Sequence, residues 1–291
     1  MEKFSIRDIE NLCGIKAHTI RVWEQRYGIS IPKRKSGNHR FYNSEDLKNL
    51  LRISFLYNNG YKISSIAKLD SREIDQLVNN TVINQENFPS FISRLIEASV
   101  DFDESRFLKL TDKLLRKVGF ETGIKDLFYP FLQKMGLLWL SNHVIPAQEH
   151  FSSNLIRQKI IAATDRLPVP DFYLKRVLIF SFPGEYHEIP LLVAGYHFKK
   201  NKQSVSFFGT HVSKDAVSEY CRYRPVDYFY THVITNIAAE KINSYTDFIC
   251  NRYPTKKLVI SGPATCCLKK QYPNLVILQS YDEMVKFTQS I

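Results

Sequence analysis

At 291 residues, 44% apolar and 24% charged, the chain is long enough for two or three domains with buried cores and has the make-up of an ordinary globular protein. No apolar run approaches the ~20 residues of a membrane span. The polar start MEKFSIRDIE has no signal-peptide core, and five cysteines without a CxxC pair fit a reducing cytoplasm rather than a disulfide scaffold. The formal net charge of +11 points to a polyanionic partner. Residues 1–70 hold 13 Lys/Arg against 7 Asp/Glu, residues 71–174 are close to neutral, and residues 175–291 hold 15 against 9.

Ile6, Ile9 and Cys13 recur at helical spacing behind Ser5, a residue type suited to an N-cap. Gly14-Ile15 supplies a tight turn, and a second helix starts near Ala17 and stops at Gly28. This is the spacing that lays a second helix in a DNA major groove. In that helix Ile20, Trp23 and Tyr27 share an inward face, His18, Arg21 and Gln25 fall on another, and Thr19, Val22 and Arg26 run along its flank. Arg21 and Arg26 are long enough to reach base edges or phosphates. Pro32 to Lys35 and Gly37 to Arg40 then flank a turn, which places cations on a two-stranded wing suited to backbone contacts. Ser44 with Glu45 and Asp46 opens a third helix to about Asn59, Gly60 ends it, and Ile63, Ile66 and Leu69 mark a short fourth.

These residues resemble the MerR family of bacterial transcription regulators, whose second helix reads T-I-R-x-W-E-x-R-Y-G before P-x-R and G-x-R-x-Y. The matching positions are Thr19 to Gly28, Pro32 with Arg34, and Arg40 to Tyr42, with Gly37 one residue further from Arg40 than in the pattern. The resemblance implies a DNA-contacting set of His18, Thr19, Arg21, Gln25, Arg26 and Tyr27 on the helix, with Lys33, Arg34, Arg40 and Tyr42 on the wing. It further implies double-stranded operator DNA as partner, a homo-oligomer (dimer or tetramer) reading a palindrome, and RNA polymerase as a candidate partner. The long coiled-coil helix and metal-binding cysteines of the family's metal sensors have no counterpart here, so the signal enters elsewhere.

Asn79 to Asn87 is polar and reads as a linker. From Phe88 the pattern is helical and suggests four helices with short connections, hence a bundle, closed by Pro168-Val169-Pro170. Within it WLSNHVIPAQEH (Trp139 to His150) places a large aromatic at a helix end and a Glu-His pair in the first turn of the next helix, which Pro146 opens. Spacing alone favours a buried Trp in the bundle. A metal site from His143, Glu149 and His150 lacks a fourth partner.

From Lys175 short β-branched and aromatic runs alternate with helices. The strands are expected at Val177–Phe182, Val205–Phe208, Tyr228–Val233, Leu258–Ile260 and Leu275–Leu278. The helices are expected near Leu191–Lys200, Lys214–Tyr223, Glu240–Arg252, Thr265–Gln271 and Asp282–Gln289. Such alternation implies a five-stranded parallel sheet covered on both faces, with ligands gathering beyond the strands' carboxyl ends. There the first strand is followed by Pro183-Gly184-Glu185-Tyr186-His187-Glu188, where His187 is poised to be a ligand and Glu185 to orient its imidazole.

This segment resembles the cobalamin-binding domain, whose E/D-x-H-x-x-G motif provides a His that coordinates cobalt from below, followed by S-x-L and G-G. The corresponding residues are Glu185 to Pro190, Thr231-His232-Val233 and Ser261-Gly262. Pro190 and Ser261 stand where the motif has glycines that let the backbone approach the nucleotide tail. The Trp139…Glu149-His150 spacing resembles the W-x9-EH cap of cobalamin-dependent photoreceptor regulators of carotenoid synthesis (the CarH/LitR type), where these residues lie over the upper face of adenosylcobalamin. In that type a His directly after the Trp captures cobalt once light removes the adenosyl group; here the position is Leu140.

The expected protein is thus multidomain, α and α/β. It has a MerR-type winged helix-turn-helix at 1–72, a four-helix-bundle cap at 86–168, and a flavodoxin- or Rossmann-like doubly wound sheet at 174–291. Adenosyl- or methylcobalamin would bind between cap and α/β domain. His187 would be the cobalt ligand, with Glu185, Thr231, Val233, Ser261 and Gly262 on the lower side and Trp139, Glu149 and His150 above. Occupancy would change oligomeric state and so operator affinity. The alternative keeps DNA binding and makes the C-terminal half a cofactor-free module for oligomerisation or a protein partner. An enzyme is not expected, because no stretch supplies a catalytic barrel and no nucleophile–base constellation is visible.

Overall fold

The computed structural model describes residues 4–30, 33–34, 40–58, 60–84, 88–140, 144–234 and 238–291, with only the backbone of residues 11, 33, 34, 40, 44, 79–84 and 140. The chain divides into two compact units, Met1–Leu155 and Ile156–Ile291, and the boundary falls within the helix Pro146–Asp165.

In the first unit α1 (Ile6–Cys13) opens on a capping box between Ser5 and Asp8 and closes on Gly14, whose φ of 70° favours glycine. α2 (Ala17–Tyr27) has no side-chain cap from Lys16; the Glu10 carboxylate takes that role and accepts from the Ala17 amide at 3.2 Å. The helix-turn-helix geometry is therefore set by α1 itself. β1 (Lys33–Arg34) pairs antiparallel with β2 (Arg40–Phe41), and Phe4 bridges Tyr42 through two backbone bonds of 2.8 and 2.9 Å. The start of the chain thereby anchors the wing. The expected wing turn, residues 35–39, lies outside the described residues.

α3 (Ser44–Asn58) is capped by Asn43 rather than by Ser44: the Asn43 side chain accepts from the Asp46 amide and Asp46 accepts from the Asn43 amide, both at 2.8 Å. Trp23 packs edge-on against Tyr57 of α3, with centroids 4.9 Å apart, over a core that includes Ile9, Leu12, Ile20, Leu47 and Leu50. α4 (Ile63–Ile66) is a single turn. α5 (Ser71–Asn84) corrects the expected linker: the polar run from Asn79 continues a helix as far as Asn84, while residues 85–87 lie outside the described residues. Asn and Thr are weak helix formers, yet Ile74 and Val78 are buried at helical spacing and anchor the element.

The bundle consists of α6 (Phe88–Val100), α7 (Glu104–Val118), a third helical stretch and α10 (Pro146–Asp165). The third stretch is α8 (Phe120–Gly123) and α9 (Tyr129–Leu140) joined by a π-helical turn at Ile124–Phe128. Phe91, Leu95, Phe107, Leu114, Leu127, Phe131 and Ile156 are all buried.

The second unit alternates β3 (Arg176–Phe180), α11 (Ile189–Lys200), β4 (Ser204–Gly209), α12 (Lys214–Tyr223), β5 (Tyr228–His232), α13 (Ala239–Arg252), β6 (Lys257–Ser261), β7 (Leu275–Leu278) and α14 (Tyr281–Ser290). All pairings are parallel in the order β4-β3-β5-β6-β7, a flavodoxin-like doubly wound sheet. Leu178, Phe180, Phe229, Leu258 and Ile260 meet Ile242, Tyr245 and Ile249 of α13 in one apolar cluster. The helix expected over Thr265–Gln271 is only a 3-10 turn at Pro263–Cys267. Asn243 ends it by donating to the Cys267 carbonyl and accepting from the Lys269 amide, both at 2.9 Å, and Pro273 disfavours helix before it.

Candidate functional site

On α2 the side chains of His18, Arg21, Gln25 and Arg26 are exposed and those of Thr19 and Tyr27 half-buried, while Ile20 and Trp23 face inward. One side of the helix therefore offers polar and cationic side chains, with the exposed Val22 among them. The backbone of Lys33, Arg34 and Arg40 forms the wing beside it; their side chains are not among those described. Tyr42 needs correction as a DNA contact. It is fully buried, and its hydroxyl donates to the carboxylate of Glu24, itself 8% exposed. The pair ties the wing to α2. Sequence reasoning passed over Glu24, although it lies four residues after Ile20 and so on the inward face.

Trp139, one residue before the end of α9, is half-exposed, with Leu137 and Ile145 also exposed, contrary to the buried position that spacing favours. Glu149 and His150 occupy the first turn of α10, with Glu149 Oε2 2.9 Å from His150 Nδ1. His143 lies outside the described residues, and among the described residues no three His, Cys, Asp or Glu side chains gather at metal-ligand geometry.

In the second unit, β3 runs into the loop 181–188 at the point where the strand order reverses. Ser181 shapes this loop by donating to the Glu185 carbonyl at 2.7 Å and accepting the His211 amide at 3.1 Å. Glu185 is buried; its Oε1 lies 2.6 Å from His187 Nδ1 and accepts the His187 amide at 3.0 Å, and its Oε2 accepts the Ile234 amide at 2.8 Å. Burial pushes the Glu185 carboxyl up, but the bonds from the His187 ring and the two amides outweigh it and bring it down to about 2. An ionised Glu185 keeps a proton on Nδ1 of the half-exposed imidazole, which leaves Nε2 as the acceptor atom of its neutral form, the atom a metal centre takes.

Beside this pair, Thr231 and Val233 are buried at the end of β5. Ser261 Oγ lies 2.7 Å from both the Tyr230 hydroxyl and His232 Nδ1. Burial lowers His232 to about 4, so its ring is neutral at physiological pH. Gly262 has φ 100°, and a Cβ there would meet the Val233 carbonyl oxygen at 2.4 Å. Pro190 sits buried in the first turn of α11, where its missing N–H leaves no bond unmade. Arg157 of α10 holds Glu188 at 2.7 Å, one residue after His187.

These residues fit a cobalamin on its axial side. An oriented imidazole stands at the sheet's switch point, Gly262 keeps the close approach a side chain would block, and the buried Thr231 hydroxyl has no hydrogen-bond partner among the described residues. On the tail side they fit less closely, because the Ser261 hydroxyl is committed to Tyr230 and His232.

A winged-helix head, a helical bundle and a doubly wound sheet define a DNA-binding regulator with a corrinoid-type module. Residues 4–73 match the MerR HTH family regulatory protein model and residues 91–163 the B12 binding domain model. The chain is a MerR-type transcriptional regulator with a B12-binding domain, homologous to CarH and CarA. It is 26% identical over 215 residues to the HTH-type transcriptional repressor CarH of Myxococcus xanthus, spanning 72% of this chain and 71% of that one. It is 27% identical over 219 residues to CarA of the same organism, spanning 74% and 71%. The monomethylamine corrinoid protein of Methanosarcina barkeri superposes with a TM-score of 0.54 at 12% identity, over 70% of this chain and 99% of that one, and so shares its fold.

Proposed function

We propose that this regulator reads operator DNA through α2 and the wing, and that cobalamin binding in its C-terminal half controls operator affinity through a change of oligomeric state. His187 would hold the cobalt of a bound cobalamin, with Glu185 orienting its ring; Thr231, Val233, Ser261 and Gly262 would line the tail side, and Trp139, Glu149 and His150 would serve the upper face. Bound cobalamin would supply a cobalt centre with an exchangeable ligand. The head 1–72, the cap 86–168 and the α/β domain 174–291 are the working parts, acting in the cytoplasm and without catalysis. No helix of the described residues is long and apolar enough to cross a membrane. The observation that carries the reading is the 2.6 Å Glu185–His187 pair at the switch point of the sheet.

The test is incubation of the purified chain with adenosyl- or methylcobalamin, followed by gel filtration and an absorption spectrum. A co-eluting red chromophore that His187→Ala abolishes, with a shift in oligomer size and operator affinity, supports the proposal. A colourless protein sinks the cobalamin half. A second reading, a cofactor-free module for oligomerisation or a protein partner, is favoured by one observation: the Ser261 hydroxyl is already engaged by Tyr230 and His232. Identical operator shifts with and without cobalamin would favour it.

A further inference from the structure

Gln148 directly precedes the Glu149–His150 pair, is 5% exposed, and uses its two ends differently. Oε1 accepts the Ile145 amide at 3.1 Å and so caps α10, while Nε2 donates to the carbonyl of Val100, the last residue of α6, at 3.0 Å. Three residues on, Phe151 meets Phe102 edge-on with centroids 5.5 Å apart. The start of α10 therefore grips the α6–α7 turn through a hydrogen bond and an aromatic contact.

That turn is tightly built. Phe102 has φ 54°, a left-handed conformation that strains an aromatic residue. The Asp101 amide donates to the Glu97 carbonyl at 3.0 Å and the Asp103 amide to the Ala98 carbonyl at 2.8 Å. The Asp101 carboxylate pairs with Lys48 of α3, whose side chain is 12% exposed and also meets Glu45 at 3.1 Å. One turn further along α3, Arg52 reaches Glu97 at 3.4 Å, the same buried carboxylate that Arg106 of α7 holds at 2.7 Å. Arg52 Nε also lies 3.1 Å from Asp75 Oδ1 of α5, an ion pair without hydrogen-bond geometry. Two charges from one face of the third head helix thus seat it on α6 and its following turn. Such half-buried pairs are costly to break singly, which favours discrete arrangements over gradual drift.

We propose that the α6–α7 turn is a relay: a shift at the start of α10 moves Val100 to Asp103 and, through Lys48–Asp101 and Arg52–Glu97, re-seats α3 and the reading head it supports. The identity of the input rests on the proposed function; the relay itself does not. Gln148 acts as a positioning residue, because its two bonds go to the start of α10 and to the turn.

The test is amide hydrogen exchange on the full ligand-free chain and on Gln148→Ala, Lys48→Ala and Asp101→Asn, the last a near-isosteric change that keeps the fold. Gln148→Ala is expected to speed exchange in α3 as well as in the turn, and Lys48→Ala and Asp101→Asn to speed it at residues 146–152. The expected factor is between about twofold and thirtyfold, the range that coupling energies between connected residues give. Exchange in β3 to β6 should stay unchanged. Acceleration confined to the substituted element overturns the relay, and so does uniform acceleration in which Asp101→Asn shows no remote effect. In a second arm, Gln148→Ala should bind adenosylcobalamin like the parent chain yet lose its effect on operator affinity; a retained effect overturns the relay. If the parent chain binds no cobalamin, the proposed function falls and the exchange data alone judge the relay.

Discussion

Glu185 and His187 are joined twice, through Nδ1 at 2.6 Å and through the His187 amide at 3.0 Å, while the other carboxylate oxygen holds the Ile234 amide at 2.8 Å. One buried carboxylate therefore fixes the ring, its tautomer and the chain after β5 together. Glu185→Gln keeps the size but turns an NH2 toward one of these donors. Cobalamin affinity should fall about 10- to 100-fold, the usual effect of losing a group that orients a metal-binding His. Spectroscopic titration measures it, and unchanged affinity would remove Glu185 from the site.

The same carboxyl predicts a pH effect. Its folded value, about 2, lies below its ordinary value of 4.5, so its contribution to stability is complete above about 4.5 and is lost as pH falls toward about 2. Chemical unfolding between these limits should therefore show a steep acid loss in the parent chain and a flatter one in Glu185→Gln. Parallel profiles for the two would mean that the carboxyl is not held ionised by these bonds.

In the head, Tyr42→Phe removes the buried hydroxyl that donates to Glu24. Taking a hydrogen bond from a buried carboxylate costs roughly 1–3 kcal/mol. The variant should unfold earlier in denaturant, yet at low temperature keep the salt dependence of DNA binding, because no phosphate contact is lost. A reduced salt slope with unaltered stability would return Tyr42 to the DNA surface.

Arg21→Ala and Arg26→Ala should behave oppositely. Both side chains are exposed on α2 and hold no part of the core. Stability should stay within about 0.5 kcal/mol, as for surface substitutions generally. Specific operator binding should weaken by roughly 1–3 kcal/mol, or the salt slope should drop by about one, according to whether the guanidinium meets a base or a phosphate. Parent-like footprints from both variants would move the reading surface elsewhere.

Periodicity and punctuation exposed most of the fold. Gly14, Gly28 and the β-branched runs of the C-terminal half set element ends within a residue or two, and Leu275–Leu278 and Lys214–Tyr223 fall where alternation puts them. Tertiary effects account for the misses. The second half of α5 is polar, and its helix is anchored from Ile74 and Val78. The turn after β6 is cut short by the Asn243 side chain, 24 residues away from its partner Cys267. Tyr42 carries the motif position of a contact residue, yet its hydroxyl turns inward because Glu24 waits there. The link from Gln148 to Val100 spans 48 residues and leaves no local pattern to read.

Ser261 separates the two readings of the C-terminal half. Its hydroxyl sits 2.7 Å from the Tyr230 hydroxyl and 2.7 Å from His232 Nδ1. Burial raises the Tyr230 phenol to about 12 and lowers His232 to about 4, so both partners stay neutral at physiological pH and the network does not act as a pH switch there. Ser261→Gly frees the space beneath Gly262 and strips a partner from each buried group, which should cost roughly 1–3 kcal/mol of stability. Adding Tyr230→Phe removes one stranded hydroxyl and should recover part of that loss. If Ser261 limits room for the nucleotide tail, the double variant should bind cobalamin more tightly than the parent chain, by titration at equal folded fraction. Lost stability with unchanged affinity would make the Ser261 network purely structural, and no cobalamin binding in either protein would leave the cofactor-free module as the reading that survives.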